Sequence, residues 1–512
     1  MMRANYIGIV KKIIAVLGFW IILIGVIVQL TYIYRSGLAH TRGNVSGFYD
    51  EKDDSLDVIV IGTSTTFSAF VPMEAWNRWG IVSYNLCTNN MYTNSIKYYV
   101  REALKTQDPC LVVIDIAPFL FGHIAPSVMN EWNEPQARYN TDGMNLSRNR
   151  NALIREIVPK EYGRWSFYFD LLYYHRDEAP NPIFIDNRHH SIVKGYNNLP
   201  ILQIYGSDEI IERNDAEIRL DEENDRVLHE LLEELREYDF PILFIAPPYL
   251  DIKGERNLSG LSAYIGSVIR QYGFDFFNMA DDREKIGIDH TFDYSLDCLH
   301  YNISSAEKIT AHLCDYMVHH YDIPDRRGEE GYLLWEEDYV LWQELLNQYR
   351  DETAEQRIQV LGETDQLAQY LDRLKSGYFS CCIWISSSEF ICQDAELYNR
   401  MTELGVEIPK GKGVEDCLII VDHSANDTAL YEGDSEFIFG STFGEIRYIG
   451  GDDPQLYINY SEDSYLSGKD TTVEIFVADR VTGCLVDFVV FEFDDEGNKV
   501  ISHITDNPYI NE

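Results

Sequence analysis

Hydrophobic positions along residues 57–320 follow two alternating patterns. Asp57–Ile61 (DVIVI) is a short apolar run of β-branched type, and further strand candidates fall at Val82–Leu86 (VSYNL), Cys110–Ile116 (CLVVIDI), Pro241–Ala246 (PILFIA) and, more weakly, Phe274–Asn278. Runs of this length predict fully buried strands. Between them apolar residues recur at helical spacing. Asn94–Lys105 puts Ile96, Tyr99, Ala103 and Leu104 near one face, and Asp215–Tyr238 puts Leu228, Leu231, Leu232 and Leu235 in one stripe. Ser304–His320 is the last such segment. Strands alternating with helices predict an α/β architecture, a parallel sheet covered on both faces. Residues 120–212 break the alternation. They are rich in Tyr, Trp, Asn and Arg and too long for an ordinary connection, which predicts an insertion.

A third pattern lies at the N-terminus. Ile13–Tyr34 is an almost unbroken apolar run of 22 residues. As a helix it spans ~33 Å, enough to cross a bilayer. Arg3, Lys11 and Lys12 precede it, and Arg35 and Arg42 follow. The flanking charges favour an N-terminus in the cytoplasm, which puts everything after residue 36 outside it. The competing reading is a cleaved signal peptide with a small-residue site at Ser36–Ala39. Its apolar region is longer than signal peptides usually carry.

Asp325–Gly328 (DRRG) marks a boundary at the other end of the α/β region. Residues 331–350 read as an amphipathic connecting helix, and 353–512 change character. One helical pattern, Gln366–Lys375, precedes strand candidates at Phe379–Ile385, Cys417–Asp422, Glu436–Gly440, Leu456–Tyr460, Thr472–Ala478 and Leu485–Phe493. The last two flank a hairpin-type turn at 479–483. The expected organisation is an anchor over 1–36, an α/β domain over 37–325, a connecting helix over 326–352 and an α+β or mostly β domain over 353–512.

Composition narrows the partners. Against 42 Lys and Arg stand 84 Asp and Glu, a net charge of −42, which disfavours nucleic acid as a partner. Nine cysteines without C-x-x-C spacing argue against a disulfide framework or a zinc ribbon. Adjacent histidines at 189–190 and 319–320 point apart on any regular element, so no metal is expected, and no cofactor. The acidic residues of 215–238 read as a solvated face. Trp132, Tyr162, Trp165, Phe167, Tyr168, Tyr173 and Tyr174 make the insertion aromatic, suited either to sugar rings or to a small core of its own.

Chemistry concentrates at two places. Gly62-Thr63-Ser64-Thr65 directly follows the first strand. A serine on such a turn projects at the C-terminal edge of the sheet, where open α/β sheets bind ligands. Asp297-Cys298-Leu299-His300 lies just before the last helix. A serine needs a base, and the base needs an orienting carboxylate. Ser64, His300 and Asp297 therefore form the candidate triad.

With these residues in view, 57–320 resembles the SGNH (GDSL-type) hydrolase superfamily. The closer resemblance is to its membrane-anchored bacterial branch, which includes the D-alanyl-transfer protein DltD and the alginate acetylation proteins AlgJ and AlgX. The resemblance rests on IGTSTTFSAFVP at 61–72, SYNLCTNNMYTNS at 83–95, CLVVIDIAPF at 110–119 and DCLHYNISSAEKIT at 297–310. It implies a flavodoxin-like three-layer sandwich, with Ser64 as nucleophile, His300 as base and Asp297 as its partner. Where the family carries an oxyanion-holding glycine this chain has Cys87, whose backbone N–H keeps that role open. The family's catalytic asparagine has no match. Asp115 ends that strand, and Asn89 or Asn90 is left as donor. After His300 the family often shows glycine, where Ser305 stands here. GKDTTVEIFVADRVTGCLVDFVVFEFD at 468–494 is similar to the ILEI-type domain, with YLDRLKSGYFSCCIWISSSE at 370–389 and Leu404-Gly405 fitting loosely. That fold is associated with glycan recognition in some members.

The resemblance implies O-acyl transfer or hydrolysis, with acetyl as the acyl group, on a surface glycan or other acylated polymer. It also implies a membrane-bound O-acyltransferase as donor partner. The alternative is a non-catalytic glycan-binding or scaffold subunit of a polysaccharide modification or export complex. A secreted lipase or thioesterase would need an apolar acyl channel, against which the polar insertion argues.

Overall fold

In the computed structural model the protein is described for residues 2–36, 40–169, 173, 191–200, 202, 210–211, 216, 218–295, 299–387, 391, 394–406, 415–422, 427–432, 436–441, 444–450, 454–459, 464–466, 473–493 and 499–503. Tyr174, His189, His190 and Asp297 lie outside the described residues. The chain divides into two compact units. The first comprises 1–199, 210–288 and 297–349, and the second 200–209, 289–296 and 350–512.

Helix α1 (Met2–Ser36) contains the apolar run, and Val10–Leu30 is long and apolar enough to cross a membrane. Strand β1 (Val58–Gly62) leads into the short helix α2 (Ser64–Ala69) and then α3 (Pro72–Trp79). Strand β2 (Ser83–Cys87), helix α4 (Ile96–Ala103) and strand β3 (Leu111–Asp115) follow. Beyond the insertion come α7 (Glu222–Leu235), β4 (Ile242–Ala246), α8 (Leu258–Gln271), β5 (Asp275–Asn278) and α9 (Ile303–His320). All five expected strands are present and form one parallel sheet, ordered β2-β1-β3-β4-β5. Residues of β1 to β4 are buried throughout, as continuous apolar runs require. The strand order reverses between β1 and β3, so a crevice opens at their C-terminal ends.

Helix α7 is shorter than its apolar stripe suggested. Asp221 accepts hydrogen bonds from the N–H groups of Glu223 and Asn224 and starts the helix there. Within the insertion, α5 (Glu134–Thr141) and α6 (Arg148–Ile157) are helical. Arg138 is fully buried between Glu134 (2.8 Å) and Asp142 (3.3 Å), and its guanidinium stacks on Phe167 at 4.2 Å. Phe167 thus belongs to a local core, while Trp132 (88% exposed) and Trp165 (69%) face solvent. The connecting helix α10 spans Leu333–Gly362, twelve residues past its expected end at 350.

The second unit follows its own alternation. Strands β6 (Phe379–Ser387), β7 (Glu415–Asp422) and β8 (Asp427–Glu432) precede a smaller sheet of β9 (Glu436–Ser441), β10 (Gly444–Ile449) and β11 (Gln455–Ile458). Strands β12 (Val473–Asp479), β13 (Leu485–Phe493) and β14 (Lys499–His503) complete an antiparallel sheet ordered β8-β7-β6-β12-β13-β14. Strands β8, β10 and β14 were not anticipated. Cys381, Ile383, Ile475, Val477, Val489 and Phe491 face one core with helix Leu367–Leu374 and helix Ala395–Glu403. Cys382, Trp384, Phe476, Phe488 and Val490 face a second core with Ile446, Tyr448, Leu456 and Ile458. The period-two side-chain direction of a strand produces this division.

Candidate active site

The turn after β1 is built around one missing side chain. Thr63 is extended and precedes Ser64, the first residue of α2. Thr66 folds back over Gly62, where its Oγ1 accepts from the Thr63 N–H at 3.0 Å and donates to Asp115 Oδ2 at 2.6 Å. A Cβ on Gly62 would stand 2.0 Å from that oxygen, so only glycine admits the arrangement. Ser64 is half-buried while its neighbours Gly62, Thr63, Thr65 and Thr66 are buried, so the turn exposes its serine.

Asp115, at the end of β3, sits beneath the turn. It is fully buried. Its Oδ1 accepts from the Ala117 N–H at 2.8 Å, and its Oδ2 accepts from the Tyr249 hydroxyl at 3.2 Å as well as from Thr66. The Tyr249 hydroxyl also meets Thr65 Oγ1 at 2.8 Å. Burial pushes the Asp115 carboxyl up to about 6, and the donors from Thr66, Ala117 and Tyr249 hold it down against that.

His300 comes from the segment just before α9. Asn302 is buried and caps α9, accepting from the N–H groups of Ser304 (3.1 Å) and Ser305 (3.4 Å). The Tyr301 N–H donates to Ser68 Oγ at 3.3 Å, and Ser68 donates to the Thr65 carbonyl at 3.1 Å. Thr310 of α9 accepts from the Val71 N–H at 2.8 Å and reaches the Ala69 carbonyl at 3.4 Å. These bonds tie the segment bearing His300 to the helix bearing Ser64. His300 Nε2 then lies 2.8 Å from Ser64 Oγ, across 236 residues of sequence. That is hydrogen-bond distance between an imidazole nitrogen and a serine hydroxyl, the geometry that nucleophilic catalysis requires.

Cys87 lies at the end of β2, in register with Gly62. Its thiol donates back to the Val60 carbonyl at 3.5 Å. Burial, and then the charge of Asp115, push that thiol well above its ordinary range, so it is no thiolate. The Thr88 N–H is bonded to the Gly62 carbonyl, and the Asn85 N–H, on the other edge of β2, meets the Lys194 carbonyl. By strand alternation the Cys87 N–H shares the Asn85 side, away from β1. The N–H of Ser64, at the first position of α2, meets no acceptor among the described residues.

Asn89 and Asn90 form the turn after β2 and are half-buried. Asn90 adopts φ +45°, a conformation asparagine tolerates. Asn140 of the insertion clamps the turn, donating to the Asn90 carbonyl (3.1 Å) and accepting from the Tyr92 N–H (2.9 Å). The Met91 N–H reaches Thr63 Oγ1 at 3.3 Å, which ties this turn to the one carrying Ser64.

Thr66, Tyr249, Ser68, Thr310 and Asn140 were missed by the sequence reading. Thr63-x-x-Thr66 has the spacing of a capping box, a signal that was available. The others reach across 48 to 241 residues, and no local pattern marks them. Among the described residues no cluster of His, Cys, Asp and Glu could hold a metal ion. His319 and His320 each direct Nδ1 to a backbone carbonyl of their own helix. The chain matches no family model, no curated protein and no solved structure.

Proposed function

We propose that this protein is a membrane-anchored, extracytoplasmic enzyme of SGNH type, an O-acyl transferase or esterase acting on acetyl esters of a cell-surface polysaccharide. The observation that carries the proposal is the 2.8 Å approach of His300 Nε2 to Ser64 Oγ. Ser64 attacks the ester carbonyl while His300 takes its proton. The oxyanion is held by the Ser64 N–H, with Asn89 or Asn90 as second donor. Collapse of the tetrahedral intermediate expels the sugar alkoxide, which His300 protonates, and leaves acetyl-Ser64. Water or an acceptor hydroxyl, deprotonated by His300, then releases the acetyl group. Asp297 is assigned as the carboxylate that orients the imidazole.

The apolar helix supports the anchored location. The similarity of 468–494 to ILEI-type domains supports a glycan-contacting role for the second unit. In the transferase direction a membrane-bound O-acyltransferase supplies the acyl group to Ser64 and a sugar hydroxyl accepts it; in the esterase direction the glycan ester is the donor and water the acceptor.

The test is acyl trapping. Full-length protein in detergent is incubated with 4-nitrophenyl acetate, quenched in acid and digested, and the peptide holding Ser64 is weighed. The proposal expects one added acetyl group, absent in Ser64→Ala and strongly reduced in His300→Ala. An unmodified serine in folded wild-type protein would sink it in favour of the glycan-binding subunit.

A further inference from the structure

We infer that Asp115 is the positioning residue of the nucleophile turn, holding Ser64 in its attacking position through Thr66 and Tyr249 and letting go when the carboxylate takes up a proton. This inference rests on Ser64 being the nucleophile.

The geometry argues it from both sides of the serine. On the N-terminal side, Asp115 accepts a hydrogen bond from the Thr66 hydroxyl, which leaves a Thr66 lone pair for the Thr63 N–H. On the C-terminal side, Tyr249 links the same carboxylate oxygen to Thr65. One carboxylate therefore fixes residues 63 and 65, and Ser64 lies between them. A charged acceptor makes these bonds shorter and stronger than neutral ones, and each bond polarises the next.

The groups facing Asp115 come from every neighbouring element. They are Thr66 of α2, the Ala117 N–H after β3, the Tyr249 hydroxyl after β4 and the Cys87 thiol of β2. None is a cation, and among the described residues no ion pair reaches Asp115. Neutral donors alone hold the charge in a buried place. A proton is therefore taken up readily, in line with the elevated titration near 6.

Protonation changes the hydrogen-bond directions. Three donors converge on Asp115, and a protonated carboxyl must itself donate. Its proton can go only to a hydroxyl that reverses, since the Ala117 N–H cannot. If Thr66 reverses, Oγ1 has to accept from both Asp115 and the Thr63 N–H while its own proton loses its acceptor. If Tyr249 reverses, the link to Thr65 is reset. Either way the turn loosens beside the serine.

The test uses full-length protein in detergent with 4-nitrophenyl acetate as probe, measuring kcat and KM from pH 4.5 to 8. Wild type, Asp115→Asn, Thr66→Val and Thr66→Ser are compared, with Ser64→Ala as blank. We expect Asp115→Asn to lower kcat at pH 8 by roughly 10- to 100-fold, the loss that a small misplacement of a reacting group produces, with KM little changed. The acid limb of its kcat profile should involve one proton fewer than wild type. Thr66→Val should behave like Asp115→Asn, and Thr66→Ser should restore most of the rate. Wild-type kcat in Asp115→Asn, or an acid limb as steep as the parent's, overturns the inference. If Asp115→Asn does not fold, the Thr66 pair decides, and equal rates for Val and Ser overturn it. Full turnover by Ser64→Ala would instead remove the nucleophile assignment itself.

Discussion

Replacing Gly62 by alanine tests whether the close approach at the turn is what presents Ser64. The new Cβ would lie 2.0 Å from Thr66 Oγ1, 2.8 Å from its Cβ and 2.9 Å from its Cγ2. Rotating Thr66 moves the oxygen and methyl but leaves the Cβ contact. It also breaks the bonds to Thr63 and Asp115. Overpacking at a well-packed site costs about 1–3 kcal/mol. Losing the charge-assisted bond to Asp115 adds about 1.5–3 kcal/mol. We expect a total of about 2.5–6 kcal/mol in urea unfolding and a fall of roughly 100-fold in acetylation of Ser64. Thr66→Ala removes the oxygen and methyl that collide and leaves only the Cβ at 2.8 Å. Adding Gly62→Ala to it should then cost far less, a coupling of about 1–2 kcal/mol in a double-mutant cycle. Additivity within about 0.5 kcal/mol, or wild-type acetylation in Gly62→Ala, would refute the steric argument.

Two further expectations concern stability. Burial raises the Asp115 carboxyl from 3.8 to about 6, so the folded state binds that proton more tightly than the unfolded chain. The resulting stabilisation is complete below about pH 4 and is lost as pH rises through 6. A shift of roughly two units corresponds to about 3 kcal/mol. Asp115→Asn does not titrate, so its stability relative to wild type should improve by about that amount between pH 4 and pH 8. Urea denaturation at both pH values measures the gap, and a constant or opposite gap contradicts the burial argument. Asn302→Ala removes the cap of α9 and should destabilise by about 0.5–2 kcal/mol. Because that cap adjoins His300, acetylation of Ser64 should slow as well, and restoration of both by Asn302→Asp would tie the effect to the cap.

The chain's own pattern determined a good deal. Five short strand candidates matched five strands to within a residue or two at each end, and β1, β3 and β4 were the plainest because a strand buried on both faces has little freedom in composition. Serine after the first strand, histidine before the last helix and an apolar run long enough for a bilayer were all legible, since each is a local arrangement. The second unit was read less completely. Strands β8, β10 and β14 lack continuous apolar runs, so their place in the sheets comes from pairing rather than from their own composition. The end of α10 was misplaced because its last residues, 351–362 (DETAEQRIQVLG), are mostly polar and carry no stop signal before Gly362.

Only the tertiary structure decided how the site is held. The strand order brings the ends of β1 and β3 side by side, and Asp115 thereby comes under Thr66, 49 residues away. The same folding turned the Cys87 thiol back onto β1 and set Ser68 and Thr310 as the ties that carry His300 to Ser64. It also separated the insertion's aromatics, burying Phe167 under Arg138 and leaving Trp132 and Trp165 in solvent. A single sequence shows which residues favour a strand, a cap or a turn. Which distant donor meets which buried acceptor depends on the packing of all the elements together, and that is where the surroundings of Ser64 are set.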